Sequence, residues 1–175
     1  MRAWIRRRTQ RLAADQRGAT LVEFAIVAPV FLVMLLGTLE VGVLGMMSGN
    51  FHGAVLSASR QIRTGQSDGP RTANAFRTLI CARMADGPKN CNERLRINVQ
   101  AMNRFANAAG QMGSDPGSAT AREAFDAGGP EQVVLVTATY RWPVVMPFVE
   151  GAFQRVDGTH VLIVSRFAFK NEPYQ

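Results

Sequence analysis

From Ala19 the chain reads ATLVEFAIVAPVFLVMLLGTLEVGVLGMM, and Glu23 and Glu40 are its only charges. Sixteen uncharged residues separate the two, which on a helix sets the carboxylates roughly 25 Å apart. A bilayer hydrocarbon core is about 30 Å thick. Carboxylates near its two edges avoid most of the ~2.5–3.5 kcal/mol that a charge at its centre costs. The pattern predicts one transmembrane helix within residues 19–47. A buried soluble helix seldom stays apolar on every face for this long. A cleaved secretory signal has a shorter core closed by small residues, and no A-x-A site closes this one. Pro29 is tolerated in such a helix, because neighbouring groups satisfy the carbonyl it frees.

The period changes further on. Met47, Phe51, Ala54, Val55, Ala58 and Ile62 recur at spacings of three and four, so the helix is expected to continue with one apolar face and to stop near Gly65. A second helix is expected after Ser67-Asp68-Gly69-Pro70, capped by Ser67 or Asp68. Ala73, Phe76, Ile80 and Met84 form its buried stripe, with Arg71, Arg77 and Arg83 in solvent. Strict alternation at 95–101 predicts a strand with Leu95, Ile97, Val99 and Ala101 facing inward. Residues 106–131 have no sustained period and read as a long loop, with a helical turn at 121–125. β-Branched and aromatic residues mark strands at 132–142 and 160–170. Between them, 144–153 reads as a short helix broken at Pro147, with Val145, Phe148 and Val149 packing inward, and Asp157-Gly158 as a turn. The class is α+β: a long N-terminal transmembrane helix continuing into a small domain with one further helix and a three-stranded antiparallel sheet, the helices on one face.

Charge refines this picture. The net charge is +7, but residues 1–18 hold six of the twenty basic residues and one of the thirteen acids. The pI belongs to a short tail, so charge gives little support to nucleic-acid binding. The first basic residue after the span is Arg60. The positive-inside rule therefore puts the N-terminus in the cytoplasm and the body outside. An arginine-rich tail also suits nucleic acid or a twin-arginine signal, but the adjacent span already accounts for it.

Cys81 and Cys91 both lie in the exported part, where one disulfide closing a short loop is favoured. Asp86-Gly87-Pro88 supplies a turn between them. A catalytic thiol is the competing reading. A metal site is disfavoured, because two cysteines fall short of four ligands and His52 and His160 are distant in sequence. No G-x-S-x-G, P-loop, H-E-x-x-H or post-strand G-x-G-x-x-G occurs, so no enzyme and no cofactor is expected.

One local pattern is sharper. Gln16-Arg17-Gly18-Ala19-Thr20-Leu21-Val22-Glu23-Phe24 resembles the type IV prepilin signal G-x-x-x-x-E-[YF], which a membrane prepilin peptidase cuts after the glycine. The resemblance implies a cut between Gly18 and Ala19. It also implies that Glu23 neutralises the new α-amino group of Ala19, often on a neighbouring subunit. Gly18 lacks a Cβ and leaves the backbone open to a protease. A glutamate near a membrane edge can alternatively snorkel toward the headgroups.

More widely, the chain resembles the TadE-like minor pseudopilins of the tight-adherence (Tad/Flp) pilus. RGATLVEFAIVAPVFLVMLLGTLEVG at 17–42, IRTGQ at 62–66, FRTLICARM and the second cysteine at 76–91, LRINV at 95–99, YRWP at 140–143 and FKNEPY at 169–174 carry it. It implies a structural subunit that assembles or anchors the pilus at the bacterial inner membrane. Residues 1–18 would be a cytoplasmic leader, 19–47 the span, and 48–175 a periplasmic domain with a flexible 106–131 loop. Implied partners are the membrane, the prepilin peptidase, other minor pseudopilins, the assembly platform and the major pilin, with no nucleic acid. Gly37, Gly42 and Gly45 offer small surfaces for lateral packing of the span. The alternative is a generic single-pass, membrane-anchored envelope protein with an exported interaction domain, not processed by the peptidase.

Overall fold

The structure, a computed structural model, describes residues 18–67, 69–120, 122–145, 155–157 and 159–173. Residues 1–17, Asp68, Ala121, 146–154, Gly158 and 174–175 fall outside them. The chain divides into two compact units at Leu39/Glu40. A single helix, α1 (Ala19–Arg63), contributes to both and contains Pro29.

In the first unit α1 exposes its apolar side chains on every side, Phe24 by 69% and Met34 by 68%. In the second unit the same helix buries one face. Leu44, Met47, Phe51, Ala54, Val55, Ala58 and Ile62 all lie in the core, which is the periodic face read from the sequence. Leu44 and Met47 fall inside the stretch expected to span the membrane. α1 ends in a Schellman motif: the Gln66 N–H reaches the Gln61 carbonyl and the Gly65 N–H reaches that of Ile62. Gly65 supplies the required left-handed conformation, φ 59°.

Two short helices follow, α2 (Ala73–Cys81) and α3 (Pro88–Arg94). The cap of α2 is Thr72, not Ser67 or Asp68; its extended backbone lets the hydroxyl accept from the Ala75 N–H at 3.2 Å. Phe76, Ile80 and Met84 are buried as expected. Gly87, at φ 79°, turns the chain into α3, and Pro88 opens it.

Strands β1 (Leu95–Met102), β2 (Val133–Pro143) and β4 (His160–Lys170) pair antiparallel, and a three-residue strand β3 (Arg155–Asp157) adds to β4 in the order β1-β2-β4-β3. Leu95, Ile97 and Val99 are buried against α1 and α2, while Ala101 is half-buried. The class is α+β, as expected, but helices cover both faces of the sheet. α4 (Phe105–Met112) sets Ala108 over Met102, Val133 and Leu135 on the second face, and α5 (Pro116–Ala119) follows. This corrects the reading of 106–131 as a loop.

The helical turn expected at 121–125 is also absent from its described residues. Val99 donates to the Ala124 carbonyl and accepts from the Asp126 N–H, both at 2.9 Å, making a parallel bridge to Phe125. The edge of β1 has unpaired backbone groups at Val99, and extended chain satisfies them where a helical turn could not. The short helix expected at 144–153 lies mostly outside the described residues. Val145 is 84% exposed and does not pack inward; the Val144 N–H instead extends the β2–β4 ladder to the Thr159 carbonyl at 2.9 Å.

Phe51 is completely buried and meets the ring of Tyr140 at 5.6 Å between centroids. Phe51→Ala is expected to cost about 3–5 kcal/mol, seen as a lower denaturation midpoint of the full chain in detergent. Leu56→Ala, exposed on the same helix, should change it by less than about 0.5 kcal/mol.

Candidate functional site

The N-terminal end of α1 holds the residues singled out by sequence. Gly18 directly precedes the helix and Ala19 begins it; both are exposed, and so is Glu23. A Cβ built on Gly18 meets no atom within 4 Å, so nothing in this fold requires glycine there. Among the described residues no cation pairs with Glu23 within 4 Å. An ionised carboxylate surrounded by Leu21, Val22, Phe24, Ile26 and Val27, all more than 60% exposed, is costly in hydrocarbon unless a cation reaches it. A β-carbon on Gly37, Gly42 or Gly45 would also meet nothing. These small positions face open space.

Glu40 also makes a contact that its spacing did not suggest. Its Oε1 accepts from the Val145 N–H at 2.5 Å, 105 residues on, and so ties the end of β2 to the start of the helical face that enters the core. No local signal in the sequence marks that contact.

Cys81 and Cys91 form a disulfide with Cα atoms 5.5 Å apart, joining the end of α2 to the middle of α3. The enclosed turn is clasped from two sides. Asp86 accepts from the Tyr140 hydroxyl at 2.5 Å and from Arg94 at 2.8 Å. Asn50 on α1 donates to the Arg83 carbonyl at 3.4 Å and accepts from the Ala85 N–H at 3.3 Å. Arg83 is exposed, as expected, and also reaches the Ser57 hydroxyl.

Arg77 is not the plain surface charge read from the sequence. Its guanidinium meets both Glu123 oxygens at 2.6 Å and is only 16% exposed. That pair fastens α2 to the segment bridging β1. Sequence reasoning missed it because the partners lie 46 residues apart.

Among the described residues no cluster of three or more His, Cys, Asp or Glu is placed to hold a metal ion. His52 accepts or donates at the Ser48 carbonyl (3.1 Å), and His160 sits against the Thr159 hydroxyl (2.9 Å). One titration stands out. Burial first, and then the hydrogen bond and charge of Asp86, raise the Tyr140 phenol above its ordinary value of 10.0, with Arg94 opposing. The Asp86–Tyr140–Arg94 group is a structural clasp, because Tyr140 is buried at the back of the core.

Comparison with known proteins bears on the stem. The family model described as TadE-like protein matches residues 18–60, from Gly18 through the exposed stretch and most of the buried face of α1. No curated protein and no solved structure matches the chain.

A raised tyrosine value keeps the proton on in the folded state while the unfolded chain releases it near pH 10. Stability from this group is full below pH 10 and declines as pH climbs toward the folded value. Denaturation of the wild type from pH 9 to 11.5 should show a steeper loss than Tyr140→Phe. Parallel curves would show that the clasp contributes nothing to that slope.

Proposed function

Taking as premise a stem that is TadE-like over residues 18–60, we propose that this chain is a minor pseudopilin. It serves as a structural subunit for assembling or anchoring a Tad-type pilus at the inner membrane and performs no catalysis of its own. The observation that carries the reading is the Glu23 carboxylate, which no cation among the described residues pairs, fifth in the chain that begins at Ala19, at the head of an exposed apolar helix.

The mechanism follows from charge. The arginine-rich leader holds the N-terminus in the cytoplasm. A prepilin peptidase cuts between Gly18 and Ala19 and removes six positive charges. The cut exposes an α-amino group at Ala19, and Glu23 of a neighbouring subunit pairs with it. Two groups that are each expensive in lipid are thereby matched. The exposed apolar stretch of 19–47, up to the point where Leu44 enters the core, then packs laterally, Gly37 and Gly42 allowing close approach. The domain from residue 48, with its disulfide and its two-faced sheet, faces the periplasm and contacts other minor pseudopilins, the assembly platform and the major pilin.

Terminal sequencing of the protein from wild-type and peptidase-deficient membranes tests the reading. The expected mature N-terminus is Ala19 in the first and Met1 in the second. Met1 in both removes the pilin mechanism and leaves a membrane-anchored envelope protein. Gly18→Ala should block processing; because a Cβ there meets nothing in this chain, the block would lie in the protease. Glu23→Val should insert and be cut but lose piliation. Normal piliation would remove the charge-pairing role.

A further inference from the structure

The Cys81–Cys91 bridge closes a hairpin of two short helices. α2 and α3 have nine and seven residues, too few to enclose a pair of sulfurs by themselves. Both cysteines are nevertheless buried, Cys91 completely. Their cover comes from outside the hairpin. They share one core cluster with Phe51 and Val55 of α1 and with Tyr140 of β2. α3 packs against β2, and the Tyr140 hydroxyl reaches Asp86 inside the loop. From the other side Asn50 of α1 holds the backbone of Arg83 and Ala85.

Making or breaking a disulfide needs access. In thiol–disulfide exchange a third sulfur approaches one of the two and forms a mixed disulfide with it. A cysteine without exposed surface offers no such approach, and buried cysteines are inert for this reason. The exchange partner must therefore meet Cys81 and Cys91 before α1 and β2 close over them. The hairpin has the means to be ready by then, because its own contacts are local. The cysteines are ten residues apart, Thr72 caps α2, and Gly87-Pro88 turns the chain into α3. The contacts that cover it are distant: Asn50 reaches Arg83 across 33 residues, and Tyr140 reaches Asp86 across 54. Closing the longer loops carries the larger entropy cost, so the local hairpin forms first.

We propose that this disulfide is a sealed staple. It forms on the open hairpin, and the closing of α1 and β2 then shuts it off from thiols and disulfides in solution. One cysteine, as the thiolate, attacks a protein or small-molecule disulfide; a mixed disulfide forms and one thiol leaves. The other cysteine gives up its proton and attacks the mixed disulfide. The Cys81–Cys91 bond forms, and the second thiol leaves. The oxidant gains the two electrons and two protons that the cysteines lose. The domain thus needs an oxidant while it folds and is indifferent to one afterwards. Residues 81–91 precede β2 in the chain, so export from the membrane anchor outward presents the hairpin before the strand that covers it. That last point rests on the proposed topology; the seal rests on the geometry of the domain alone.

The test uses the purified full-length protein in detergent, with dithiothreitol as reductant and a mass-tagging alkylator to count freed thiols. Reduction of the folded protein should be on the order of a hundredfold slower than reduction in urea, since it waits on opening of the core. Equal rates would show the sulfurs open in the folded domain and overturn the proposal. Tyr140→Phe should speed reduction of the folded protein on the order of fivefold and leave the rate in urea unchanged; an unchanged folded rate overturns the part given to Tyr140. The order of events is read by refolding the reduced wild type with glutathione disulfide present, sampling over time for protease resistance and for free thiols. Resistant chains should carry the disulfide, and any that close while reduced should oxidise on the order of a hundredfold more slowly than open ones. Resistant chains with free thiols that oxidise as fast as open ones overturn the proposal. A sealed disulfide in protein that still begins at Met1 in cells would keep this inference and remove the pilin reading.

Discussion

The whole arrangement depends on the cost of keeping α1 wet. Between Leu21 and Leu39 thirteen large apolar side chains are exposed. Moving them out of water is worth on the order of 20 kcal/mol, more than the ~5–15 kcal/mol by which a whole domain is stable. No described part of the chain covers them. A bilayer, or a bilayer shared with other helices, is the environment that resolves the imbalance, and each charge near that stretch takes its meaning from it. Glu23 needs a cation or a headgroup, and the arginines that precede it need an aqueous side.

One helix thus serves two solvents. Up to Leu39 it is apolar all round; from Leu44 it is apolar on one face, which closes the core under the sheet. Glu40 marks the change and is held by the Val145 N–H. The disulfide and the Asp86–Tyr140–Arg94 clasp then fasten the turn between α2 and α3 to the same core. Two polar residues of the helix, Asn50 and Ser57, also contact that turn.

What was legible in the sequence is what repeats. The face from Met47 to Ile62, the three long strands and the apolar stem each carry a period or an unbroken run, and each stands where it was read. α4 was illegible because it buries one residue, Ala108, and one residue makes no period. β3 is three residues long. Thr72 lost out to Ser67 and Asp68 as a cap because the Gly-Pro pair looked like the boundary, while the chain continues two residues before it turns into α2. The Arg77–Glu123 and Glu40–Val145 contacts join residues far apart in sequence, and such pairs leave no local mark.

The membrane stem is tested most directly by the depth of its residues. Full-length protein in liposomes, spin-labelled singly from Val22 to Val41, should give accessibility to oxygen that peaks near Phe31–Leu32. Accessibility to a water-soluble nickel reagent should be lowest at the same place, and both should change smoothly toward Glu23 and Glu40. A nickel accessibility that rises and falls every three to four residues along the whole stretch would show a helix half in water, and would contradict the account.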